Sequence, residues 1–357
     1  MGGSNVFRKE FSRRDFLKVG GAGFAGAALL GVAGCGAGGG GSEQGGGGGE
    51  VREFRYAFEG PEKTTHGIAA DIFQKALEDA SGGRMTIKQF PAAQLGGEPE
   101  LLEKVRSGDI DFVNSSTANA AAIVPQAGVF SLHYLFESKD HIANALSDRE
   151  VVKVFREMVS ESVEGAQALT LYTLPLRNIY AKETEVRTVD DIKGKKIRVQ
   201  ATKTEDVTFK AYGAQTVHMA FPEVYTALQT GVVDMAENAV TYYGINKHYE
   251  VAPVMSMTQH AGNTQTIWVT DKVWNSLSKE EKGWVQAAAD EVGQKATLQG
   301  FELEKEKKEE YSELGVKFFE NVDRDSFRQI AQPLQDELAR DLGDYAVELV
   351  DLIRGLR

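Results

Sequence analysis

Six histidines, a single cysteine and a few well-placed arginines hold most of the reactive chemistry available to this chain of 357 residues. The histidines (His66, His133, His141, His218, His248 and His260) are scattered. None shares the i,i+4 spacing that sets two imidazoles on one helix face for zinc. Cys35 has no second cysteine to pair with, so an internal disulfide is excluded. No glycine-rich phosphate loop joins a strand to a helix, and the glycine run 36–49 has neither flank. Asp190-Asp191 and Glu280-Glu281 stand at expected helix starts, where the helix dipole accounts for paired acids without catalysis. The residues therefore suggest no catalytic set, metal or cofactor, and an exported enzyme stays only as a rival reading. Arg198 is different. It closes the apolar strand of Gly194-Lys195-Lys196-Ile197-Arg198-Val199-Gln200, and in open α/β sheets ligands sit beyond the carboxyl ends of strands. A guanidinium fixed there offers a fork of donors that matches a carboxylate. Taken alone, Arg198 also fits a surface ion pair at a strand end.

The elements that would position such a site alternate along the chain. Residues 51–58 alternate apolar and charged side chains as a strand does. Ile68, Ile72, Phe73, Ala76 and Leu77 form a helical stripe that Ser81-Gly82-Gly83 ends. Strands are expected at 85–90, 110–113, 196–199 and 217–220, and a helix begins near Leu101. This alternation predicts a parallel-rich sheet covered by helices. Ser278-Lys279-Glu280-Glu281 reads as a capping box opening a proline-free helical stretch to Gly315, in which Gly283, Gly293 and Gly300 predict bends or a break. The charged run 305–310 reads as a solvated helix face.

The first thirty-five residues address the chain. Ser12-Arg13-Arg14-Asp15-Phe16-Leu17-Lys18 is a paired-arginine export signal, followed by an uncharged stretch at 19–34. That stretch is shorter than the about 20 residues a membrane span needs, and its layout is that of a signal peptide. Val32-Ala33-Gly34-Cys35 resembles a lipoprotein processing site with Cys35 as the lipid attachment point. The glycine-rich run after it would serve as a flexible tether reaching roughly 20 Å. Formal charge is −12; removing the five basic and two acidic residues of 1–34 leaves −15. That disfavours nucleic acid and anionic lipid heads as partners, and it means that an anionic ligand would need a local cationic pocket.

The strand 194–200, followed by Phe221-Pro222-Glu223-Val224-Tyr225-Thr226-Ala227-Leu228-Gln229-Thr230-Gly231-Val232-Val233-Asp234-Met235-Ala236-Glu237-Asn238, resembles the solute-binding subunit of tripartite ATP-independent periplasmic (TRAP) transporters. Gln94-Leu95-Gly96-Gly97-Glu98, Gly108-Asp109-Ile110-Asp111, His248-Tyr249-Glu250-Val251-Ala252 and Trp274-Asn275-Ser276-Leu277-Ser278 extend the match over nearly the whole mature chain. The resemblance implies an α/β, two-lobe clam-shell of the periplasmic-binding-protein kind with crossing strands and a long bracing helix. Lobe I would comprise 50–174 and 264–303, and lobe II 175–263 and 304–357. Arg198 would clamp the ligand carboxylate, with Arg177 as a second arginine, Asn238 bonding the same group and Phe221 packing on its apolar edge. Glu98 would face the ligand from the first lobe. Thr65 and His66 are weaker first-lobe candidates, His66 reading equally as a surface histidine, and Glu237 and Tyr180 complete the set. The family usually has Gly-Gln or Gly-Ala where Met235-Ala236 stands, so Met235 is expected to narrow or reshape the pocket. Pro99 after Glu98 and His133 in place of a usual proline are further departures. The implied ligand is an organic acid, a uronate-like sugar acid first and a C4-dicarboxylate or keto acid second. The implied partners are the small and large TRAP membrane subunits, with the lipid anchor as the only membrane contact. A ligand-sensing lipoprotein serving a receptor is the competing role.

Overall fold

Two strands far longer than the usual 3–10 residues run through the middle of the molecule. The computed structural model describes residues 51–357; the expected signal (1–34), Cys35 and the tether (35–49) lie outside the described residues. In chain order the first elements are β1 (Arg52–Ala57), α1 (Thr65–Ser81), β2 (Met85–Phe90), α2 (Glu98–Ser107) and β3 (Phe112–Ser116). The short α3 (Thr117–Ala120), then α4 (Lys139–Ser147) and α5 (Arg149–Ser162), lead into the long β4 (Ala166–Ala181). Next come β5 (Lys196–Val199), α6 (Lys203–Ala211), β6 (Gln215–His218), α7 (Val224–Thr230), β7 (Met235–Asn238) and α8 (Val240–Ile245). The second long strand, β8 (Val254–Thr270), precedes α9 (Asp271–Ser276), α10 (Lys279–Glu313), β9 (Lys317–Phe319), α11 (Arg324–Leu342) and α12 (Asp344–Gly355).

The strands form one sheet in the order β2-β1-β3-β8-β4-β7-β5-β6, with β9 on β8. β1 is parallel to β2 and β3, and β5 is parallel to β6 and β7. Every antiparallel pairing involves β4 or β8. The sheet therefore consists of two parallel halves joined by two shared strands. The C-terminal part of β8 pairs β3 (Val269 with Phe112), while the C-terminal part of β4 pairs β7 (Ala181 with Met235). Between those parts the β4–β8 ladder slips, with register shifts between Leu174 and Ile179, and Gln259 takes φ 46°. Irregular pairing bends a strand locally, so the ladder is least regular where one half gives way to the other.

Helices cover both faces of each half. In the first half, Phe73 of α1 packs with Val285 and Val292 of α10 over Phe54, Tyr56 and Phe112. In the second, Tyr311 of α10 joins Val224, Leu228 and Met255. One helix thus braces both halves, and at about 1.5 Å per residue its 35 residues span roughly 50 Å. The capping box is present, Ser278 Oγ accepting from the Glu281 amide. The expected break is not. Gly293 and Gly300 are points of close approach: a Cβ at Gly293 would stand 2.7 Å from Thr170 Oγ1, and one at Gly300 2.8 Å from Thr65.

The C-terminal helices do not all pack on one half. Phe327 and Ala331 of α11 belong with Ile197 and Met235 of the second half. Leu338, and Leu349 and Ile353 of α12, pack instead with Phe130 and Phe155 of the first. The C-terminal segment strides across the two halves because α11 carries one apolar stripe long enough to meet both cores. Met235 is buried in that second-half core, paired with Ala181 and Ile197, and does not border the cleft it was expected to narrow.

The helix glycines yield a paired test. Gly283 faces open space, so Gly283→Ala is expected to stabilise by up to about 1 kcal/mol through helix propensity. Gly293→Ala is expected to destabilise by about 1–3 kcal/mol through overpacking. Urea unfolding of both variants reads the difference; equal effects would contradict the close-approach assignment.

Candidate ligand-binding site

The carboxyl ends of the parallel strands in both halves converge on a cleft of about 430 Å³, counted out to its open mouth. β5 delivers Arg198, with Gln200 directly after it, the segment after β6 delivers Phe221, and β7 ends in Asn238. From the first half come Glu59 after β1, His66 in α1, Glu98 at the start of α2 and Asn119 in α3. The crossing strands supply the floor: Leu174 and Arg177 from β4, Asn263 and Gln265 from β8.

The two arginines differ in their surroundings. Arg177 is 1% exposed and forms a forked ion pair with Glu237, Nε to Oε2 and Nη2 to Oε1. Burial works against its charge, but the Glu237 carboxylate outweighs it and holds the guanidinium above its ordinary value. Burial likewise opposes the Glu237 charge, and Arg177 outweighs it, keeping the carboxyl below its usual range. Arg198 is 4% exposed, and its Nε and Nη2 both donate to the Met219 carbonyl at 3.2 and 2.9 Å. Among the described residues no carboxylate lies within 4.0 Å of it. Burial pulls Arg198 below its ordinary value, and Arg177 adds to that against the opposing pull of Glu237. A buried cation bordering a cleft with only a carbonyl as hydrogen-bond acceptor is costly, and an acid entering the cleft would relieve that cost.

Around it the polar groups form a chain. Gly60 N–H donates to His66 Nδ1 at 3.2 Å, which leaves Nε2 to donate to Gln265 Oε1 at 3.0 Å. Gln265 Nε2 donates to Asn263 Oδ1 at 3.1 Å, and Asn263 Nδ2 to Asn238 Oδ1 at 3.2 Å. Burial lowers the His66 pKa, in keeping with a neutral ring. Glu98 Oε2 accepts from Ser116 N–H, Ser116 Oγ and Asn119 Nδ2, at 2.7–2.8 Å. Two bonds bridge the halves at the cleft: Gln200 Nε2 to Ser116 Oγ at 3.1 Å, and the His66 amide to Tyr242 Oη at 3.3 Å.

Of the residues expected from the sequence, Arg198, Arg177, Asn238, Phe221, Glu98 and His66 border the cleft. His66 is 2% exposed, so the surface alternative falls. Three others lie behind it. Thr65 is buried with its side chain against Gly300 of α10. Glu237 is spent on Arg177, since neighbouring strand residues point to opposite faces and Asn238 takes the cleft side. Tyr180 donates to His248 Nδ1 at 2.8 Å, and His248 supports Phe221 with ring centres 5.2 Å apart. Glu59, Asn263 and Gln265 were not foreseen. The last two stand two residues apart in the polar stretch Asn263-Thr264-Gln265-Thr266 of β8, a spacing that sets both on one face of the strand. Met235 and His133 are away from the cleft: His133 pairs with Glu205 at 3.1 Å and with Tyr212 at 3.0 Å in the buried interior.

Removing one partner of a buried ion pair typically costs about 3–5 kcal/mol. Glu237→Ala is therefore expected to lower unfolding free energy by that much, as the buried Arg177 guanidinium loses its counter-charge. A loss under about 1 kcal/mol in denaturant unfolding would show the pair to be dispensable.

The sequence profile for bacterial extracellular solute-binding proteins of family 7 (DctP) matches residues 56–341. A solute-binding protein of Chromohalobacter salexigens is 30% identical over 281 residues, covering 79% of this chain and 83% of its own. A solved TRAP periplasmic solute-binding protein from that organism, with bound D-glucuronate, superimposes with TM-score 0.78 at 29% identity, over 85% of this chain and 100% of the other. One from a Bradyrhizobium species in complex with α/β-D-galacturonate gives TM-score 0.79 at 28% identity, again over 85% and 100%. With a matched profile over most of its length, the two-lobe fold and a cleft between the lobes, the chain belongs to the DctP family of extracytoplasmic solute-binding proteins that serve TRAP transporters.

Proposed function

We propose that the protein captures a uronate-like sugar acid outside the cytoplasm and delivers it to a TRAP permease pair, with the acid group held by Arg198. The observation that carries this reading is the buried, carboxylate-free Arg198 facing a cleft otherwise lined with amides and acids suited to hydroxyls. The uronates bound by the similar Chromohalobacter and Bradyrhizobium proteins support the ligand class. Asn238, beside Arg198 in the cleft, bonds the acid or a neighbouring hydroxyl, and Phe221 stacks beneath the guanidinium, 5.9 Å from ring centre to Cζ. Arg177 acts mainly by fixing the cleft floor, since Glu237 already occupies its fork. A C4-dicarboxylate or keto acid is the second choice of ligand.

The action is binding, with no chemistry on the ligand. The halves rotate about the irregular stretch of β4 and β8, a hinge motion of about microseconds to milliseconds. We take the lobe boundaries at 174/175 and 263/264. A ligand favours the closed form only through contacts made with both halves at once. The acid on Arg198 and hydroxyls on Glu98 or Asn119 supply such contacts. Closure also excludes water, which strengthens the ion pair.

Export by the paired-arginine route, lipidation at Cys35 and tethering through 36–49 would hold the domain at the outer face of the membrane. No helix among the described residues is long and apolar enough to cross a membrane, so the permease would be a separate chain.

Arg198→Ala is expected to weaken D-glucuronate binding by about 30- to 4,000-fold, the 2–5 kcal/mol typical of breaking a buried charge pair, while the fold survives. Calorimetry giving equal affinities for variant and wild type would refute the role. For the anchor, Cys35→Ser is expected to move the protein from the membrane fraction to the soluble one; an unchanged distribution would remove Cys35 as the attachment point.

A further inference from the structure

The wall of the cleft supplied by the first half holds two carboxyl groups. Glu59 follows the carboxyl end of β1 and Glu98 opens α2, and the Glu98 amide donates to Glu59 Oε2 at 2.9 Å. Both border the cleft that Arg198 enters from the other half. Three donors already converge on Glu98 Oε2. Glu59 has the Glu98 amide alone for a donor among the described residues, and no lysine or arginine lies within 4.0 Å of either acid among them. Burial, and then the neighbouring Glu98, push the Glu59 carboxyl up to about 7, against the opposing pull of Arg198.

We propose that Glu59, backed by Glu98, rejects a second carboxylate and so restricts the cleft to polyhydroxylated acids carrying one charge. The inference rests on the reading that Arg198 takes the ligand's acid group. An ionised carboxyl only accepts hydrogen bonds, so a ligand hydroxyl can satisfy it whereas a ligand carboxylate cannot. Unpaired like charges across a closed cleft are a means of discrimination by repulsion. The other groups facing this wall give a second carboxylate no shelter. His66 of α1 is kept neutral by burial, Tyr242 of α8 is an uncharged phenol, Arg177 of β4 is spent on Glu237, and Arg198 of β5 is committed to the first acid.

D-Gluconate and D-glucarate make a clean comparison, because they share their interior hydroxyls and differ only in whether the far carbon is an alcohol or a carboxylate. In calorimetry at about pH 8, the wild type is expected to prefer gluconate by about 100-fold. Glu59→Gln should narrow that preference by about tenfold, with glucarate binding more tightly than to the wild type. General damage to the cleft would weaken both acids together. The wild-type preference should also fall between about pH 8 and pH 6, as Glu59 gains a proton, and Glu59→Gln should abolish that slope. Equal binding of the two acids by the wild type, or an unchanged ratio in Glu59→Gln, would overturn the proposal while leaving a monocarboxylate site intact. If neither gluconate nor D-glucuronate binds the wild type, the sugar-acid reading fails and this proposal fails with it.

Discussion

A positive charge drawn out of water has to be compensated, and the second half of this protein is organised around one such charge that the chain itself leaves without a carboxylate. Arg198 is buried at the end of β5 and shares one carbonyl with its own lobe. Its neighbour Arg177 meets the same problem and solves it internally through Glu237. Within the second half's side of the cleft, two guanidinium groups and one carboxylate leave one positive charge in excess, facing the Glu59 and Glu98 wall of the first half. On a protein whose described part is acidic, that local excess is what the proposed binding of an anion there relies on.

The fold holds that charge in place by economical means. β4 and β8 are each shared by both halves of the sheet, so the cleft floor is built from the same strands that join the halves. The ladder is irregular between Leu174 and Ile179, where Arg177 sits, and the Arg177–Glu237 pair ties that stretch to β7. The 35-residue α10 packs along both halves. In the proposed function, binding and closure are thereby linked through neighbouring residues: the ligand's acid would face Arg198, and its remaining groups a wall carried by the other half.

Much of this was legible in the sequence, and the failures have definite causes. Strand 85–90 and the helix cap at Ser278 could be read because alternation and capping chemistry are local signals. Arg198 could be read because strand-end position and the long 221–238 string coincide. Glu237 was misplaced because its identity is clear but its face is set by β7 pairing with β4, which no local signal reports. Glu59 was missed for a related reason: its meaning depends on β1 ending beside the start of α2. The glycines of α10 suggested a break, since propensity alone cannot see Thr170 and Thr65 pressing against Gly293 and Gly300. Met235 looked like bulk at a turn, and became core once it lay on a strand between Ala181 and Ile197.

The central claim is that a ligand's negative charge compensates Arg198. The most direct test compares D-glucuronate with its uncharged amide, which keeps the ring and every hydroxyl, by titration calorimetry on the wild-type protein. The account predicts that the amide binds at least about 30-fold more weakly, the lower end of the cost of an unpaired buried charge. Comparable affinity for the two would contradict it.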